Sequence, residues 1–147
     1  MKRVFYVLLA GIIIILISLY FNLKTETRLN KATLEDLNLQ LTGIVYKVDK
    51  VKGYNGFGIA DLKIINSNIK NYDPRSKNDY YYCIIKNGKI EIYDIVVNAM
   101  TIGDTIKIDT KNKTILYKNE GRKEEGTIMV NTDDGFYNYI KKHHQKL

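Results

Sequence analysis

The feature that most limits this chain is an uncharged run near its start. Residues 4–21 read VFYVLLAGIIIILISLYF, and at 1.5 Å per residue a helix of this length covers about 27 Å, close to the roughly 30 Å hydrocarbon core of a bilayer. Its leucines and isoleucines outweigh Gly11 and Ser18 on an insertion scale, and Tyr6 and Tyr20 stand near the two ends, where aromatic rings favour the interface. The run predicts a transmembrane helix over residues 4–23, with the lipid bilayer as its partner.

A cleaved signal peptide would have a shorter apolar region followed by small residues. Here the run closes on Leu19, Tyr20, Phe21, Asn22 and Leu23. Leu8-Leu9-Ala10-Gly11 reads like the opening of a lipobox, but Ile12 stands where the acylated cysteine would be. The expectation is therefore an uncleaved signal anchor over residues 1–24. Lys2 and Arg3 precede the span, while Lys24, Arg28 and Lys31 follow it, so positive charge hardly sets the direction. A short leading tail before a long domain favours a single-pass protein of the cytoplasmic membrane, N-terminus inside and soluble domain extracytoplasmic.

Beyond residue 24 the chain is long enough for one domain with its own core. Twelve tyrosines, abundant isoleucine, one proline and no tryptophan favour strands. The net charge is +7, of which Lys2, Arg3 and Lys24 supply three, leaving 20 basic against 16 acidic residues. A mixed surface of that kind compels no nucleic-acid partner. Cys83 is the sole cysteine, which excludes an intramolecular disulfide and a cysteine-based zinc site. In the run YYYCII it reads as a small buried hydrophobe.

Residues 25–38 read as a stalk or short helix, and 39–147 as a single β-rich domain. From Leu39 the apolar period becomes two, with Ile44, Tyr46 and Val48 on one face. Gly53-Tyr54-Asn55-Gly56-Phe57-Gly58 has a phosphate-loop look, but no helical pattern follows it, so a wide hairpin turn is expected. A strand over 59–65 and a polar loop over 66–79 come next. Asn87-Gly88 is a strong two-residue turn signal. Counting outwards pairs Lys86 with Lys89, Ile85 with Ile90, Ile84 with Glu91, Cys83 with Ile92 and Tyr82 with Tyr93. One face then carries Cys83, Ile85, Ile90 and Ile92, and the other Tyr82, Ile84, Lys86, Lys89, Glu91 and Tyr93. With Lys111-Asn112 as a second turn, Ile108 meets Ile115 and Ile106 meets Tyr117. A short last strand over 126–130 and a helix opened by Asp133 and Asp134 complete the chain. Lysines near the end of that helix suit its dipole.

No catalytic motif is present, whether a nucleophile elbow, phosphate loop, Cys-x-x-Cys or paired-carboxylate signature. Asp133, Asp134, His143 and His144 are metal-ligand types, but adjacent histidines on a helix point about 100° apart, which does not suit a shared ion. No cofactor or metal is expected. The candidate binding patch is Tyr82, Tyr93, Lys86 and Lys89, because tyrosines interleaved with lysines on a sheet can stack bases or hold sugars and peptides. The alternative is an ordinary cross-strand aromatic pair.

From Leu41 to Lys118 the order is a long strand containing Gly43, a glycine turn, a strand, a loop and a hairpin. Ile102-Gly103-Asp104-Thr105-Ile106 then opens another hairpin. This resembles small OB-like β-barrels, in particular anchored bacterial envelope proteins of uncharacterised function. The resemblance implies a mainly β fold: a transmembrane helix, then a small antiparallel OB-like barrel, then a short C-terminal helix. It implies a binding module and supplies no catalytic residues. Three functions follow as expectations. The first is a non-enzymatic interaction module taking an envelope protein or polar ligand, with no nucleic-acid partner if exported. The second is a nucleic-acid or polyanion binder facing the cytoplasm, and the third an enzyme with an unrecognised site.

Overall fold

A computed structural model describes residues 2–54, 56–76, 80–95, 100–119 and 121–144, the side chains of 2–8, 10, 22 and 25–32 excepted. The chain divides into two compact units, Met1–Ala32 and Thr33–Leu147. One helix, α1, runs over Lys2–Leu37. The anchor expectation is corrected here, because among the described residues no helix is long and apolar enough to cross a membrane. The single-pass topology and the cytoplasmic-membrane location rested on that span and are not supported.

The second unit begins before the first strand. The last turn of α1 sends Leu34 and Leu37 into the main core, and Asn38 ends the helix with φ +41°. Residues 33–37, part of the segment read above as a stalk or short helix, are helical and fall in the second unit. Among the described residues seven antiparallel strands follow: β1 Gln40–Lys50, β2 Phe57–Ser67, β3 Cys83–Lys86, β4 Lys89–Ile95, β5 Thr105–Asp109, β6 Thr114–Asn119 and β7 Arg122–Thr127. Helix α2, Asp134–His143, closes the described chain.

The strands form one sheet in the order β3-β4-β2-β1-β5-β6-β7. The expected closed barrel is corrected to this open sheet, and its two edges explain why. Strand β3 has four residues, and its free edge is taken by a bridge in which Tyr72 and Ile85 exchange backbone hydrogen bonds of 2.9 and 2.8 Å. Strand β7 is RKEEGT, a charged edge of the kind that resists further pairing.

Both sheet faces bury apolar side chains. The main core holds Leu39, Leu41, Val45, Leu62, Cys83, Ile85, Ile90, Ile92, Ile106, Ile108 and Ile115. The opposite face carries a second cluster in which Phe136, Tyr137 and Ile140 of α2 cover Ile59, Ile84 and Tyr93. Helix α2 therefore lies on a sheet face. Asp133 caps it, its carboxylate accepting the Phe136 N–H.

The two hairpin registers match the counting from the turns, with Cys83 opposite Ile92, Ile85 opposite Ile90, Ile106 opposite Tyr117 and Ile108 opposite Ile115. Asn87 and Gly88 both take positive φ, as their turn requires. The last strand differs from expectation: Gly121 turns at φ +74°, so β7 starts at Arg122 and ends at Thr127. Ile128 and Val130 then enter the core beyond it.

Candidate functional site: the outer sheet face and its cleft

Strand order decides which outward side chains become neighbours, because directly paired residues share a face. Lys86 pairs with Lys89, Lys89 with Lys63, and Lys63 with Ile44. Ile44 pairs with Thr105, Thr105 with Lys118, and Lys118 with Lys123. One row thus crosses all seven strands and carries five lysines around a neutral centre. At about 4.8 Å per strand the six steps span roughly 29 Å. All five lysines are exposed, and among the described residues none has an ion-pair partner. The neighbouring row runs Thr42, Lys107, Leu116, Glu125 and adds one lysine and one carboxylate. Lys107, Lys118 and Lys123 line a cleft of about 740 Å³ at the β5-β6-β7 end.

This row is the uncovered half of the face whose other half lies beneath α2. Between the two halves sit Asp61 and Glu91, paired directly across β2 and β4 and both buried. Burial raises the Glu91 pKa, while the Tyr93 hydroxyl and His144 oppose that rise. The Tyr93 O–H donates to Glu91 Oε1 at 2.5 Å. His144, at the C-cap of α2, lies with Nδ1 3.2 Å from Glu91 Oε2 and Nε2 3.0 Å from Asp49 Oδ2. The Tyr139 O–H also donates to Asp49 Oδ2, at 3.1 Å. These hydrogen bonds fasten the end of α2 to the sheet.

Asp61 is less well served. Its Oδ2 lies 3.5 Å from Lys47 Nζ, but its Oδ1 is buried and has no hydrogen-bond partner among the described residues. It lines a cleft of about 380 Å³ together with Tyr46, Lys47, Asn87, Lys89 and Glu91. Tyr46 is there because β1 carries one extra residue between Val45 and Lys47, which pair with consecutive residues of β2. Such bulges re-aim a side chain. This one leaves the Tyr46 ring 41% exposed, with Lys89 Nζ 5.7 Å from its centroid.

The four residues of the sequence patch do not come together. Tyr82 and Tyr93 are both 0% exposed, and they lie in different clusters on opposite sides of the sheet. The backbone pairing of Tyr82 with Tyr93 is present as a 2.9 Å hydrogen bond from the Tyr93 N–H to the Tyr82 carbonyl, but the Tyr82 ring turns into the main core, its hydroxyl donating to Asp94 Oδ2 at 2.8 Å. Lys86 and Lys89 are exposed and belong to the lysine row. Sequence reasoning missed Lys63, Lys118, Lys123, Tyr46 and Asp61. The recurring outward lysines were visible, but not the strand order that aligns them. Cys83 is a free, buried thiol whose pKa burial raises strongly, which makes it a poor nucleophile. Among the described residues no group of three or more His, Cys, Asp or Glu side chains is placed to hold a metal ion.

No known protein family, curated protein or solved structure matches this chain. The likeness to OB-like envelope proteins therefore finds neither support nor contradiction there.

Proposed function

We propose that the domain is a binding module that docks an extended polyanion along the uncovered half of its outer sheet face. The observation that carries this reading is the single row of Lys86, Lys89, Lys63, Lys118 and Lys123 with no acidic partner among the described residues. A solvated surface of mixed charge needs no such alignment, and like charges directly opposite one another cost stability. An anionic chain laid across the strands relieves that repulsion and releases its own counterions.

The reading is tested with immobilised inorganic polyphosphate. Reversing two row lysines, Lys63→Glu with Lys118→Glu, should weaken capture about tenfold or more at low salt, since each lysine that no longer neutralises a phosphate takes its counterion release with it. Reversing Lys52 and Lys111, exposed lysines in turns, changes net charge equally and should weaken it much less. Equal losses from the two pairs would show that only net charge matters, and would defeat the proposal.

A further inference from the structure

We infer that the cleft beside the lysine row is a subsite for a sugar ring, so that the polyanion taken by this surface is an anionic polysaccharide. The inference rests on the polyanion reading and narrows it.

The cleft holds two kinds of group that a purely anionic chain cannot use together. Lys47, Lys86 and Lys89 offer donors and positive charge, whereas Asp61 offers a carboxylate oxygen beside Glu91, whose own oxygens are engaged by Tyr93 and His144. An inorganic polyphosphate has no donor for that oxygen and would be repelled by it. A polysaccharide carries anionic groups and hydroxyl donors on the same ring. Its anion suits the lysines and a hydroxyl suits the Asp61 oxygen.

Asp61 Oδ1 points the same way. Asp61 is 7% exposed and this oxygen has no partner among the described residues, an arrangement that costs free energy until a donor arrives. The flexible group beside this carboxylate is Lys47, whose side chain is 56% exposed and whose ion pair is loose at 3.5 Å. The Tyr46 ring supplies the apolar platform that the C–H face of a pyranose prefers, and the bulge in β1 exists at the one position that presents it. Lys89, held by that ring, is placed to meet an anion on the same sugar. At about 380 Å³ the cleft is at the small end of ligand sites and fits a sugar unit or two.

The test uses the full chain and three probes of matched charge: a heparin-derived sulfated oligosaccharide, inorganic polyphosphate and a single-stranded oligonucleotide. The wild-type protein should bind the oligosaccharide about tenfold more tightly than either other probe, the equivalent of 1.4 kcal/mol. Tyr46→Ala and Asp61→Leu should each remove most of that preference while leaving Tm near wild type, Tyr46→Ala with polyphosphate affinity unchanged and Asp61→Leu with it unchanged or raised. Tyr46→Phe should retain it. Equal wild-type affinity for the three probes, tighter binding of the oligonucleotide, or variants that weaken all probes alike would overturn the sugar subsite and leave the lysine row standing. Failure of the wild-type protein to bind any of them would overturn both readings.

Discussion

Tyr93→Ser should destabilise the folded domain by about 3–5 kcal/mol, the range for deleting a large buried aromatic side chain. The ring is fully buried and meets Tyr81 at 5.3 Å and Tyr137 at 6.4 Å between centroids. Its hydroxyl also serves Glu91, a carboxylate that has little access to water. Serine would leave a cavity beneath α2 and withdraw that donor. Tyr93→Phe should cost about 1–3 kcal/mol, because it removes only the hydrogen bond to a buried group. Denaturant midpoints measured on the two variants check both values. A cost for Tyr93→Ser below about 1 kcal/mol, the size of an exposed cross-strand pair, would place the ring on the surface and contradict the packing of α2.

The second large effect is a dependence of stability on pH that comes from Asp94. This side chain lies inside the main core, where it accepts hydrogen bonds from the Tyr82 hydroxyl at 2.8 Å and the Ile95 N–H at 2.7 Å. Burial raises its pKa from 3.8 to about 7, despite those two hydrogen bonds. A carboxyl group raised on folding favours the folded state while it is protonated. Its contribution is present in full below pH 4 and is lost as pH rises through 7. With 1.36 kcal/mol per unit, a rise of about three units corresponds to at most about 4 kcal/mol. The wild-type protein should therefore lose stability between pH 4 and pH 8, and Asp94→Asn should remove most of that loss. Parallel pH profiles for the two proteins would show that Asp94 is not the group responsible. Glu91, also raised by burial, works in the same direction and remains in the variant, so the difference between the two profiles isolates Asp94.

What the sequence made legible was local. Asn87-Gly88 and Lys111-Asn112 set hairpin registers that the structure reproduces residue for residue, because a short turn fixes the pairing on either side of it. Asp133 was readable as a helix cap for the same reason. Counting failed on a side-chain direction at the strand end. The Tyr93 N–H still donates to the Tyr82 carbonyl, yet Tyr82 lies just before β3 and its ring turns to the other face. The bulge that exposes Tyr46 depends on how β2 fits against β1, which the alternation of apolar residues does not show. Leu34 and Leu37 looked like part of a stalk or short helix because nothing nearby in sequence announces the core they enter. The lysine row was the least legible feature. Lys86 and Lys89 are joined by a turn, but Lys63 meets Lys89 only because β2 lies beside β4, and Lys118 joins the row only because β5 lies beside β1. Those neighbours are set by tertiary packing of a sheet whose two faces are both partly buried.

The most direct test of the lysine row as the docking surface is the salt dependence of binding to the sulfated oligosaccharide. If the five lysines each neutralise an anionic group, the logarithm of the association constant should fall with the logarithm of salt concentration with a slope of about −3.5 to −4.5. Lys63→Glu with Lys118→Glu should make the slope shallower by the share of two lysines, roughly 1.4 to 1.8. A wild-type slope weaker than about −1, or a slope unchanged by those two reversals, would contradict the account.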